Sequence, residues 1–289
     1  MNFKYFLNEL DESAETTVQP KTKDELKKII EDTIKEQGFD CDLNFIDTSK
    51  ITDMSELFAY SKFNGDISNW NVSNVEDMEN MFMFSKFQGD ISKWNVSNVK
   101  NMSAMFESSE FNGNISKWDV SNVKRMDFMF MYSKFNQNIS KWDVSNVENM
   151  NSMFKESAFN GDISKWNVSN VRIMESMFRD SVFNKDISNW DVSSVENMRG
   201  MFQSSKFDRD ISKWNVRNVE DMSSMFLNSN FNQDISKWNV RYVEDMRDIF
   251  RNSKFAGDIS DWDVRHVKYA EDMFDNCPLE NKSEFQPEF

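Results

Sequence analysis

The 289 residues include only 7 Gly and 3 Pro but 27 Phe, 20 Met and 9 Trp, so the chain is neither a flexible linker nor a loop-rich sandwich. The formal charge of −15 favours solubility and argues against direct nucleic-acid binding, which needs a basic excess. No stretch reaches the roughly 20 apolar residues of a membrane span, and Lys4, Asn8 and Glu9 interrupt what would be the apolar core of a signal peptide, so the chain as written is expected in the cytoplasm.

In chain order, Phe3, Phe6, Leu7 and Leu10 have helical spacing, and residues 11–20 read as a link. Residues 22–37 predict a helix. Thr22 and Glu25 fit a capping box, Leu26, Ile29, Ile30, Thr33 and Ile34 form one stripe, and Gly38 closes it. Residues 1–38 are thus expected to be an N-terminal segment with a capping helix.

From residue 39 the chain repeats. Phe recurs every 24 residues from Phe63 to Phe255, and Ile from Ile67 to Ile259. All nine Trp share that period: Trp70, Trp94, Trp118, Trp142, Trp166, Trp190, Trp214, Trp238 and Trp262. Residues 63–278 hold nine regular units, and residues 39–62 a degenerate first one with Ile46 at the Trp position. Within a unit, Trp70 and Val72 alternate as in a short strand, whereas Val75, Met78, Met81 and Phe82 have the spacing of two helical turns. Ser73 and Glu76 resemble a capping box at that helix start, and Asn64–Gly65 a turn. One such unit cannot bury its own apolar face, but stacked units can. The expected fold class is therefore α/β, a leucine-rich-repeat-like solenoid of about ten strand-turn-helix coils spanning 39–278, with 279–289 as a C-terminal tail. At about 4.8 Å per strand the stack is on the order of 50 Å long.

The spacing Ile-x-x-Trp-x-Val-x-x-Val is similar to the leucine-rich-repeat frame. More specifically, Phe-Asn-x-Asp-Ile-Ser-x-Trp-Asp-Val-Ser-Asn-Val-x-x-Met-x-x-Met-Phe resembles the repeat of the BspA-like leucine-rich-repeat surface proteins, also described as a mycoplasma-type domain of unknown function. The resemblance covers residues 39–278. It implies a binding role, often toward proteins, with no catalytic residues, and it allows a cell-surface location.

The chemistry-bearing residues mostly have structural readings. The Trp ladder reads as core, and the Met pairs as core filler. The Asp row at 66, 90, 162, 186, 210, 234 and 258 reads as turn acceptors, since calcium needs several converging oxygens. His266 is the single histidine, so no Ser–His or Cys–His dyad exists elsewhere, and no metal, cofactor or catalytic residue is assigned. Cys41 and Cys277 fall in the first and last coils, too far apart for a disulfide.

Two polar rows are expected to point outward from the strand face, read as the concave side. One holds Lys93, Lys117, Lys141, Lys165, Lys213 and Lys237; the other gains Arg217, Arg241 and Arg265 where earlier coils carry Ser. At about 4.8 Å per coil such a column repels itself weakly without helping folding, so Lys213, Arg217, Lys237, Arg241 and Arg265 are the expected partner-binding patch and the earlier lysines a secondary one. The expected function is a non-enzymatic scaffold presenting an extended surface to a protein partner. An acidic, phage-type inhibitor of a nucleic-acid-processing enzyme is the alternative, and an exported adhesin the third. Partner identity and oligomeric state are not set by the sequence.

Overall fold

The computed structural model describes residues 17–288. The expectation for Phe3, Phe6, Leu7 and Leu10 lies outside the described residues. Among these there is one α-helix, α1, Lys23–Gln37, and one 3-10 turn, Ser283–Phe285. The Thr22 hydroxyl accepts from the Glu25 amide at 3.2 Å, and the Glu25 carboxylate accepts from the Lys21 amide at 2.7 Å. Gly38, at φ 91°, ends α1 by donating to the Ile34 carbonyl at 2.8 Å. Leu26 and Ile30 are buried against the first coil, and Lys23 of the same helix pairs with Asp53 at 3.3 Å.

The repeats do not form the expected strand-turn-helix coils. Each coil is a chain of tight turns, joined to its neighbours by isolated parallel bridges at one recurring position, Asp53, Asp77, Asn101, Arg125 and onward to Tyr269, with a second bridge from Asp42 to Asp66 between the first two coils. In the segment expected to be helical, Met81 donates to Met78 and Ser85 to Phe82, each at 3.2 Å, closing four-residue turns. The third residue of each turn is left-handed: Asn80 at φ 57° and Phe84 at φ 53°. A left-handed residue every fourth position stops a right-handed helix from propagating. Alternate amides, freed from intrahelical bonding, reach the next coil instead: Met78 to Asn101, Asn80 to Ser103, Phe82 to Met105 and Phe84 to Glu107, at 2.8–3.0 Å. Helical spacing and this turn string both turn residues at three- and four-residue intervals inward. Met78, Met81 and Phe82 are accordingly buried, as the spacing requires, although no helix forms. Ser73 is not a helix cap; its amide and hydroxyl donate to the Asn71 side chain.

The expected strand ladder at Trp-x-Val is absent for a distance reason. Where backbone bonds join the coils, neighbours sit about 4.8 Å apart. Stacked rings measure the rise farther across the coil: 5.5–5.9 Å from Phe58 to Phe250, and 6.1–6.4 Å from Phe63 to Phe255. At the tryptophans it reaches 6.4–6.5 Å, too wide for amide-to-carbonyl bonds. Side chains span the gap instead. Trp118, Trp142 and Trp166 Nε1 each donate at 3.1 Å to the carbonyls of Ile91, Ile115 and Ile139 in the preceding coil. Asn98 and Asn122 Nδ2 do the same to Ser73 and Ser97 at 2.7 Å. The stack therefore fans open toward the tryptophans, which puts the turn-built wall on the inner side of the curve and the Trp edge on the outer side.

The coils share one continuous core, in which all nine Trp are at most 4% exposed and the Phe and Met rows are fully buried. At the N-terminal end the first two coils touch more closely. A Cβ on Gly65 would lie 1.9 Å from the Cys41 carbonyl, so only glycine fits there. At the other end Leu279 is buried and Phe285 packs on the core, its carbonyl accepting from the Ile259 amide at 3.0 Å. Both cysteines are free and buried.

Candidate functional site

The outer edge carries the polar rows expected from the sequence. Lys93, Lys117, Lys141, Lys165, Lys213 and Lys237 are all exposed, each in the turn before its Trp. They lie on the convex side, not the concave one, because the rise is largest there. At about 6.5 Å the repulsion between neighbours falls to about 0.6 kcal/mol in water. Arg217, Arg241 and Arg265 are likewise exposed in the turn after the buried Val. The three arginines differ in their partners. Arg265 grips Asp263 through two bonds of 2.6 and 2.7 Å, and that guanidinium holds the Asp263 carboxyl well below the usual carboxylate range. Arg241 lies over the Tyr242 ring at 5.9 Å, and Lys237 is 3.8 Å from Asp261. Among the described residues Arg217 and Lys213 have no ion pair. The arginine column is thus neutralised in its last coil. Tyr242 and His266, with rings 5.9 Å apart, stand where most coils carry the bridging Asn.

The Asp row makes turns. Asp66, Asp90, Asp162, Asp186, Asp210, Asp234 and Asp258 each accept from the amide two residues on, at 2.8–3.0 Å. Bonds from the side chain and the amide of that residue, a Ser in each case, hold the carboxyls below their ordinary range.

The inner wall holds a feature that the repeat pattern hides. Its two left-handed positions recur in every coil. The second of them carries Asp180, Ser204, Asn228, Asn252 and Asn276 in the later coils. Asn and Asp tolerate positive φ, whereas bulky side chains are outliers there. Yet the early coils place Tyr60 at φ 58°, Phe84 at φ 53° and Tyr132 at φ 56° in the same row, and Phe128 at φ 61° in the first. Tyr60 is 69% exposed, Phe84 48% and Tyr132 44%. Tyr60 and Phe84 stack at 5.1 Å, and Lys155 Nζ sits 5.6 Å from the Tyr132 centroid. Met83 and Met131 lie half-buried beside them, with Glu107 between them in the same row. Toward the C-terminal end the wall turns polar, with Arg251 bonded to Asp248 at 3.0 Å and Asp272 at 3.2 Å. The signal was present in the sequence as aromatics at positions that vary between coils. It was legible only once the backbone showed those positions to be exposed and left-handed.

No helix among the described residues is long and apolar enough to cross a membrane. Comparison with curated proteins and with solved structures gives no match. One protein family matches residues 25–134, 83–182, 108–205 and 180–286, overlapping segments that together run through the whole repeat region. The chain belongs to that family, described as Mycoplasma protein of unknown function, DUF285.

Proposed function

We propose that the protein is a non-enzymatic binding scaffold whose inner wall, in its first four coils, docks a protein partner. The observation that carries this reading is the exposed aromatic row Tyr60, Phe84 and Tyr132, held in a backbone conformation that disfavours such residues. Left-handed bulky residues cost on the order of 1–3 kcal/mol each, and strain of this kind concentrates at functional sites. Tyr and Phe are the side chains that anchor protein interfaces, and contiguous exposed apolar surface marks them. The likeness of the repeat to BspA-like surface proteins supports a binding role. The arginine column on the outer edge is a secondary surface, since Arg265 is already paired. The acidic-inhibitor reading gains nothing from the outer charges. Glu76 pairs with Lys100 at 2.7 Å and Lys124 with Glu148 at 3.4 Å, so the acids alternate with bases and form no continuous phosphate-like row.

The test is affinity purification from a lysate of the source organism, with and without nuclease, followed by mass spectrometry. The wild type is expected to capture a specific protein that survives nuclease. The triple variant Tyr60→Asn, Phe84→Asn, Tyr132→Asn is expected to lose it, and Arg217→Glu with Arg241→Glu to retain it. Capture unchanged by the triple variant but lost on arginine reversal moves the site to the outer edge.

A further inference from the structure

We propose that the inner wall contains a cation slot: the gap over Ser108, between Phe84 and Tyr132, receives one arginine or lysine side chain of the partner polypeptide, with the Glu107 carboxylate as its counter-charge. This rests on the reading of the wall as the binding surface and names the chemistry it selects.

The slot is a missing rung. Phe84 donates to the Glu107 carbonyl and Ser108 to that of Met131, both at 2.8 Å, and Tyr132 donates to that of Lys155 at 2.9 Å, so positions 60, 84, 108 and 132 run in one register. Tyr60 and Phe84 stack 5.1 Å apart with their planes 6° from parallel. Two coil steps of that size separate Phe84 from Tyr132, about 10 Å, and only the small Ser108 lies between them. A guanidinium or ammonium midway sits about 5 Å from each ring, inside the roughly 6 Å reach of a cation–π contact. The chain already demonstrates that chemistry on the far side: Lys155, in the next coil, places its ammonium 5.6 Å from the centre of the Tyr132 ring.

Glu107 supplies the charge. It stands in the row beside Ser108, between Met83 and Met131, and burial pushes its carboxyl above the ordinary value. Among the described residues it has no ion pair, while neighbouring acids such as Glu110 do. A half-buried carboxylate without a partner gains more from an incoming cation than a solvated one does. The flanking methionines and Phe128 then favour a cationic residue set among apolar ones.

The test uses the full chain labelled with 13C at its methionine methyl groups and titrated with capped pentapeptides. The peptides are Leu-Gly-Arg-Gly-Leu, its lysine analogue and its neutral citrulline analogue. The expected result is a saturable shift of the Met83 and Met131 signals with the two cationic peptides, and about tenfold weaker binding of the citrulline peptide. Glu107→Gln is expected to weaken the arginine peptide by about tenfold. Ser108→Phe fills the rung, as Phe84 does in its own coil, and is expected to abolish the shift while lowering the melting temperature somewhat, since Ser108 sits at φ 51°. Equal affinity for the arginine and citrulline peptides, no shift with any peptide, or full affinity in Glu107→Gln overturns the slot, and none of these depends on the Ser108 variant folding. If the wall still captures its partner in the lysate experiment, the docking reading survives that failure. If capture fails while the peptides behave as expected, the slot stands and the protein-partner reading falls.

Discussion

At the residue scale, each tryptophan does two jobs that a phenylalanine at the same place could not combine. Its ring fills the outer part of the core, and its indole N–H closes a gap that backbone amides cannot cross. Trp142→Ala removes both and is expected to cost about 3–5 kcal/mol, as for other buried aromatics. Trp142→Phe keeps most of the ring but removes the indole bond to the Ile115 carbonyl, 3.1 Å in the wild type, leaving that carbonyl only the Trp118 amide at 3.1 Å, and is expected to cost about 1 kcal/mol. Urea unfolding of the two variants separates packing from bridging; a Trp142→Phe variant as stable as wild type means the indole bond contributes nothing. The left-handed aromatics should behave in the opposite way. Tyr60 is mostly exposed at φ 58°, so Tyr60→Asn relieves backbone strain and is expected to leave stability unchanged or raise it by up to about 1 kcal/mol. A clear loss of stability in that variant would make Tyr60 a packing residue and remove the argument from strain. The buried identity of the Trp row was readable from its period alone. The strain at Tyr60 was not, because φ is a property of the path and leaves no trace in the side-chain spacing.

At the scale of the coil, the unit is defined by its length. Every inter-coil contact, from the Trp bridges to the bond between Met78 and Asn101, pairs residues about one period apart. Deleting residues 135–158 removes one whole period and is expected to give a shorter but cooperatively unfolding protein. Deleting 135–146 shifts every later coil by half a turn and is expected to abolish the cooperative transition in calorimetry; equal behaviour of the two deletions would refute stacking in register. The turn acids make a second expectation. Their carboxyls are depressed in the folded chain by bonds from the Ser side chains and amides, so in each case the folded value lies below the unfolded one. Such groups stabilise the fold above their unfolded value near 3.9, and that contribution is lost as pH falls through the lower folded value. The melting temperature should therefore be flat from pH 7 to about 5 and fall steeply below about 4. Asp162→Asn should soften that fall while preserving the turn, because Asn114 and Asn138 already make the same bond to Ser116 and Ser140 at 3.0 and 2.9 Å. An unchanged acid limb would show that other carboxylates govern it.

At the scale of the whole molecule, the ends decide whether the stack holds. Leu26 of α1 is fully buried against the first coil, and Lys23 reaches Asp53 and the Ser55 hydroxyl beside it. Leu26→Asp puts an unpaired carboxylate in that contact and is expected to destabilise by at least about 3 kcal/mol. Hydrogen exchange should then show protection lost first from the N-terminal coils, where the aromatic row lies. Uniform loss along the chain would mean the stack melts as a single unit and α1 has no local role. The same curvature that opens the Trp edge brings the inner wall together, so the aromatic row sits on the side where neighbouring side chains are closest.

The sequence by itself determined the period, the number of coils and which side chains face inward, because a 24-residue register without insertions admits only one set of buried positions. It did not determine the backbone path. Val75, Met78, Met81 and Phe82 satisfy a helix and a string of left-handed turns equally well, and Trp70 with Val72 satisfies a strand that the 6.4 Å spacing then forbids. Nor did it determine which face curves inward, which reversed the expected place of the lysine row. Those choices belong to the tertiary structure, since they depend on how the large Phe and Trp rings of one coil rest on those of the next. Only that stacking set the rise along each edge, and with it where amides can bond, which positions turn left-handed, and why Tyr60, Phe84 and Tyr132 stand exposed in a row with one rung missing.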